Sequence, residues 1–308
     1  MGISTKMKQI FIYISLLNKN QPFIMKNLIV PIDFSKESLN GLELALLFTK
    51  KQYTNIQMVY VQKKSSDYNS PGYFAEEKHY ADKKFKEIMA KYEPKLKNDS
   101  KLRYIIKAGT IYREIVNQVE SYSEAMVVAS THGGSGFEEL FIGSNAYKII
   151  SATNRPVLTI RKNKCPADIK KIVLPIDITV DSRQKVPFTA DLAELFGAEI
   201  HLVTVSSSQN KKLKQRLDAY GHQVEKFIKS RRIPLKRKSL FGESIIDLIV
   251  VYTDSVDADL ISIMKEQPKS LNFLGSFTQQ ILNRATTPVL TISSKETRIA
   301  TGFRTFGG

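Results

Sequence analysis

The pattern of apolar and polar positions along the chain occurs twice. Residues 26–33 read KNLIVPID and residues 170–177 read KKIVLPID, two short β-branched apolar runs that end in the same Pro-Ile-Asp. Continuous apolar runs of this length predict strands buried on both faces of a parallel sheet. A second matching pair follows later: residues 143–160 read GSNAYKIISATNRPVLTI and residues 275–292 read GSFTQQILNRATTPVLTI. The leading glycine and serine, the proline and the final strand fall at the same positions in both. Between these markers the pattern predicts strands at 56–61 and 199–205, at 105–109 and 239–242, and at 126–129 and 260–264, with helical stretches between them, the first at 35–50. Each copy therefore has about five strands alternating with helices.

Alternating strands and helices imply a parallel sheet with helices on both faces, because right-handed crossovers place them there. The expected architecture is α/β: two tandem doubly wound modules, each a five-stranded, mostly parallel sheet flanked by helices. The boundaries read as an extension at 1–24, a first module at 25–162, a linker at 163–169, a second module at 170–294 and a tail at 295–308. In such sheets ligands bind beyond the carboxyl ends of the strands, where the strand order reverses. Asp33 and the loop after Ala129 are expected to meet there.

Composition changes this picture in few places. A length of 308 residues with 42% hydrophobic content suits two packed cores. The single cysteine, Cys165, excludes an intrachain disulfide and paired-cysteine zinc sites, and fits a reducing cytoplasm. No run approaches the roughly 18 apolar residues of a membrane-spanning helix. Lys6 and Lys8 precede an apolar run at 10–17, which has the outline of a weak signal peptide without a small-residue cleavage site, so 1–24 reads as a non-structural extension. The formal net charge of +16 points to acidic partners. The excess sits in two comparable segments, 83–107 and 211–238, each on the second helix of its copy and the approach to the third strand. One reading is a solvated face that maintains solubility; the other is a polyanion-binding surface with weak sequence specificity and steep salt dependence.

The strongest chemical signal is Ser130-Thr131-His132-Gly133-Gly134-Ser135-Gly136, followed by an apolar helix start and then Gly143-Ser144-Asn145. Glycines let backbone approach a phosphate, and amides of a loop and a helix N-terminus bind anionic oxygens. Thr131 and Ser144 add hydroxyl donors. The alternative is that the glycines serve only a tight turn and helix packing. His132 has no paired nucleophile and orienting carboxylate in this motif, so it reads as structural or ligand-contacting, not as a general base. Without a triad, metal cluster or paired carboxylates, an enzyme is not expected, slow ATP hydrolysis at the loop being the one activity left open.

The run resembles the nucleotide loop of the universal stress protein family: glycine, two residues, glycine, nine residues, glycine, then serine or threonine. Gly133, the nine residues 134–142, Gly143 and Ser144 match it, and Ser130 stands in place of the first glycine. The resemblance extends over two modules after Met25 and identifies the chain as a tandem member. It implies ATP or AMP as ligand, ATP with Mg2+, in a regulatory or stress-response role. Pro31, Ile32 and Asp33 would lie at the adenine side, with Ile56 lining the base or ribose. Ala129, Ser130, Thr131, His132 and Gly133 would line the loop, and Gly143, Ser144 and Asn145 would meet the phosphates. From its residues alone Asp33 is equally suited to capping the next helix. The resemblance also implies dimer-like pairing of the last strands, 157–160 with 289–292, inside one chain, with further homodimerisation left open.

The corresponding stretch of the second copy, residues 264–276, reads MKEQPKSLNFLGS. It lacks the glycine-rich element, is shorter, and carries Pro268, which has no amide to donate. Nucleotide binding is therefore expected in the first copy alone. The alternative function is a nucleotide-independent scaffold that binds nucleic acid, ribosome or an acidic protein through the basic helices.

Overall fold

A computed structural model describes residues 25–63, 71–131, 143–161, 165–179, 181–266 and 275–294. In the first half, strands β1 (Asn27–Pro31), β2 (Asn55–Lys63), β3 (Lys101–Gly109), β4 (Ala125–Ser130) and β5 (Val157–Ile160) alternate with helices α1 (Lys36–Thr49), α2 (Pro71–Tyr92), α3 (Ile111–Glu120) and α4 (Ser144–Ala152). The second half repeats this order with β6 (Lys171–Ile176), α5 (Val186–Phe196), β7 (Glu199–Ser206), α6 (Lys211–Ser230), β8 (Leu235–Phe241), α7 (Ile245–Ser255), β9 (Leu260–Met264), α8 (Ser276–Arg284) and β10 (Val289–Ile292).

The strands form one ten-stranded sheet in the order β3-β2-β1-β4-β5-β10-β9-β6-β7-β8. Every pairing within a half is parallel, and β5 meets β10 antiparallel, with Val289 opposite Thr159, Leu290 opposite Leu158 and Thr291 opposite Val157. The two halves are therefore related by a local twofold through this pair, the isologous arrangement that a dimer of single modules would have.

Residues alternate between the two faces along the buried strands. In β1, Leu28 and Val30 join the core beneath α1, α2, α5 and α6, whereas Ile29 joins the core beneath α3, α4, α7 and α8. Each of these cores runs through both halves. On the first face Phe48 of α1 meets Phe196 of α5 edge-on, with ring centroids 5.1 Å apart. The segment before β6 is tied to α1: Lys51 pairs with Asp168 at 2.9 Å, and Lys50 donates to the Ala167 carbonyl at 3.2 Å.

Two strands begin four residues earlier than the pattern predicts. β3 starts at Lys101 and β8 at Leu235, against expected starts at 105 and 239. They are the two edges of the sheet. Lys101, Arg103, Lys236 and Lys238 interrupt the apolar pattern there, and charged side chains on an edge keep it from pairing with another chain. Part of the basic excess thus has a structural use. Residues 1–24, 295–308 and the middle of the glycine-rich loop, which includes His132 and Gly133, lie outside the described residues. Among the described residues, no helix is long and apolar enough to cross a membrane.

Candidate functional site

In the first half the strand order reverses between β1 and β4, the crevice position of doubly wound sheets. Three segments converge there: the end of β1 with Asp33, the end of β4 with Ser130 and Thr131, and the start of α4. Convergence of the last two is direct. Gly143 N–H donates to the Thr131 carbonyl at 2.7 Å, and Thr131 N–H donates to the Ile160 carbonyl at 2.9 Å. Gly143, the N-cap of α4, has no side chain to offer the amides of the first turn. Ser144 and Asn145 are exposed on that turn. A helix N-terminus with this glycine cap suits an anionic oxygen, so the described residues fit a phosphate.

Ser130 ends β4 in extended conformation and is not among the residues with positive φ, so the serine carries no backbone cost there. Behind it, α1 packs closely. A Cβ on Gly41 would stand 3.3 Å from the Ser130 amide nitrogen and 3.4 Å from the Val128 carbonyl oxygen. Ala129 and Thr131 are buried; their contribution to a ligand site is backbone.

Asp33 is exposed at the end of β1, and its Oδ1 accepts from Ser35 N–H at 3.0 Å. Ser35 in turn caps α1, its Oγ accepting from Ser38 N–H at 3.1 Å. The second half repeats this network: Asp177 Oδ1 accepts from Thr179 N–H at 2.7 Å, and Thr179 Oγ1 from Ser182 N–H at 3.3 Å. The aspartate in both copies is therefore accounted for by the turn into the next helix. Pro31 closes β1 half-buried, and Ile32 is buried, its amide donating to the Val59 carbonyl at 2.9 Å.

The fold does not bring Ile56 to this crevice. Ile56 is opposite Leu28 and fully buried, while the carboxyl end of β1 is level with Val59. Three residues of strand separate the two levels, about 10 Å at roughly 3.3 Å per residue. One residue beyond Val59 on β2 is Tyr60. Its ring stacks on Phe34, with centroids 4.9 Å apart, and Phe34 also meets Phe85 at 5.1 Å and Tyr80 at 6.0 Å. Phe34 has a φ of +66°, an outlier for a bulky residue that costs on the order of 1–3 kcal/mol. Sequence patterning gives no signal for such a backbone state, so this aromatic wall next to Asp33 was missed.

In the second half the strand order reverses between β6 and β9. Arg183 and Lys185, 0% and 2% exposed, lie in the turn before α5. The Arg183 guanidinium lies 3.6 Å from the Tyr220 ring centroid. Burial pushes the Lys185 amine down to about 7, against the pull of Asp177. Beyond β9, Glu266 reaches the first turn of α8.

Comparison with known proteins adds the following. The model of the universal stress protein family matches residues 25–161 and 168–293. A universal stress protein of Methanocaldococcus jannaschii is 26% identical over 174 residues, which cover 51% of this chain and 99% of that protein. One from Bacillus subtilis is 24% identical over 148 residues, covering 45% of this chain and 100% of its own. The crystal structure of a universal stress protein from Archaeoglobus fulgidus covers 89% of this chain and 98% of its own, with a TM-score of 0.72 at 20% identity. At that identity the structural match speaks for the fold.

Proposed function

The chain belongs to the universal stress protein family, and from that premise we propose that its first half binds one adenine nucleotide, ATP or AMP, as a regulatory or stress-response module. The observation that supports this most is the 2.7 Å bond from Gly143 to the Thr131 carbonyl, which sets the glycine-capped start of α4 against the end of β4 at the reversal of strand order. In this reading the amides of Ser144 and Asn145 and the Ser144 hydroxyl hold phosphate oxygens, and the partial positive charge of the α4 terminus favours the anion. Mg2+ would arrive on the ATP phosphates. Phe34 and Tyr60 supply an apolar wall near Asp33 for the base. The nucleotide acts here as an effector, and no chemical step is assigned to any residue.

Isothermal titration with ATP and with AMP tests this. One site per chain is expected, lost in Gly133→Val and weakened at least tenfold in Gly143→Val. Two sites per chain, or no heat in the wild type, would sink the reading.

A second reading rests on a separate observation. Lys211, Lys212, Lys214 and Lys226 of α6 are exposed and form no ion pair among the described residues, whereas Lys229, Arg231 and Arg237 nearby are paired with acids. A polyanion such as nucleic acid fits this face. Its affinity should fall steeply between low and physiological salt, because each neutralised phosphate releases counterions. Affinity unchanged by salt would rule it out.

A further inference from the structure

We propose that the second module carries its own anion: the Glu266 carboxylate takes the place that a nucleotide phosphate would have there, and so closes this module to nucleotide. The proposal deepens the reading above, on which it rests for the assignment of the phosphate position.

The two modules can be aligned from their hydrogen bonds alone. Leu28 pairs with Met126 in the first and Ile172 with Leu260 in the second. Counting along β4 and β9 makes Lys265 the counterpart of Thr131, and both amides donate to the end of the neighbouring strand, Thr131 to Ile160 and Lys265 to Ile292. The next position holds His132 in the first module and Glu266 in the second. The helix that follows starts after Gly143 in one and Gly275 in the other.

In the second module an anion is already seated at this helix start. Glu266 Oε2 accepts from Phe277 N–H at 2.9 Å and from Thr278 N–H at 3.3 Å in the first turn of the helix, Phe277 being the counterpart of Asn145, whose amide holds phosphate in the reading above. The carboxylate lies against Gly275, where an added Cβ would clash with the same Oε2. Glycine at 275 is thus required by the approach of Glu266, as a glycine in a phosphate loop is required by the approach of phosphate.

The other side of the crevice supplies an independent observation. Asp33 N–H and Asp177 N–H each donate to the serine five residues on, Ser38 and Ser182, and in the second module Arg183 and Lys185 follow that serine before the helix begins. Both long side chains are buried, and the Lys185 ammonium donates to the Ser182 carbonyl. α5 begins only at Val186, after the short 3-10 turn Asp181–Arg183, so the first turns of the helix are rebuilt around them. The second module thus differs from the first on both sides, with a carboxylate at the start of α8 and two buried basic side chains in the turn after Asp177.

The test is an amide spectrum of the 15N-labelled full chain titrated with inorganic phosphate. In the wild type the Phe277 and Thr278 resonances are expected to stay fixed; in Glu266→Ser they should shift and saturate. Glu266→Gln, whose amide oxygen keeps the seat, should behave as wild type. Equal responses in wild type and Glu266→Ser, or silence in Glu266→Ser with an otherwise native spectrum, would overturn the proposal. Should that variant not fold, hydrogen exchange of the wild type decides: Phe277 and Thr278 amides should be protected and indifferent to ATP, and rapid exchange at both while the rest of α8 is protected would refute the seating of the carboxylate. The Ser144 and Asn145 amides, followed with ATP in the same samples, report the first module separately, so loss of their response counts against the nucleotide reading and not against Glu266.

Discussion

Leu158 lies directly opposite Leu290, its own counterpart, in the antiparallel pair that joins the two halves, and both side chains are fully buried. The pair sits on the local twofold, so the two substitutions should be equivalent. Leu158→Ala and Leu290→Ala are each expected to destabilise by about 2–5 kcal/mol, the usual cost of emptying a packed leucine site. Because the residues touch, the double variant should cost less or more than the sum by a measurable coupling. Urea denaturation followed by circular dichroism checks this; unequal single costs would mean that the pseudo-symmetry does not extend to energetics.

Lys185 gives the protein a pH dependence with a definite sign. Its buried amine titrates at about 7 in the folded chain against an ordinary value of 10.5. Between these values the unfolded chain holds a proton that the native one lacks, so unfolding free energy rises with pH by about 1.4 kcal/mol per unit. Below pH 7 both states are protonated and the cost of the buried charge, only partly offset by Asp177, is felt in full. Lys185→Met should therefore be more stable than wild type at pH 6 and should lack the extra slope from pH 7 to 10. Parallel stability curves for the two proteins would contradict the burial of this amine.

Gly41 controls how closely α1 approaches the end of β4. A methyl group there meets Ser130 and Val128 backbone at 3.3–3.4 Å, a tight contact that competes with the gain of roughly 0.5–1 kcal/mol from replacing a helical glycine by alanine. Gly41→Ala is expected to be near neutral in thermal stability. Gly41→Val has no such compensation and should destabilise by about 1–3 kcal/mol through overpacking. Since Ser130 begins the candidate phosphate loop, the valine should also weaken ATP binding in calorimetry, while the alanine leaves it within a factor of about three.

How much of this was legible in the sequence depended on what carries each feature. KNLIVPID and KKIVLPID gave the duplication and the central strands because strands buried on both faces are continuous apolar runs. The starts of β3 and β8 were hidden by lysines and arginines whose use is to blunt the sheet edges. The apolar helix start read at 137–142 lies outside the described residues; the helix itself begins at Ser144, after Gly143, where a glycine cap and a polar first turn carry no apolar signal. Ile56 was assigned to the site by resemblance alone, and strand register, which no local pattern fixes, puts it at the other end of the sheet from Asp33. Phe34 and Glu266 were beyond reach for a related reason. One depends on a backbone angle, the other on the meeting of a strand end with a helix start eleven residues later.

Lys265 links the second module to the helix on which the candidate site is built. Its ammonium donates to the carbonyls of Ile150, Ser151 and Thr153 at 3.1, 3.0 and 2.8 Å, capping the carboxyl end of α4. A cation at that end complements the helix dipole and satisfies carbonyls that the helix leaves over. The opposite end of α4, at Gly143 and Ser144, is where phosphate is proposed to bind, so one short helix is held at both ends by different modules. Lys265→Met keeps the aliphatic stem and removes the charge and its three bonds. It is expected to cost about 1.5–3 kcal/mol in stability, as loss of charged hydrogen bonds does. If α4 transmits position along its length, the same variant should bind ATP several-fold more weakly in calorimetry although Lys265 belongs to the other module. Unchanged affinity with lowered stability would confine Lys265 to a structural role at the junction.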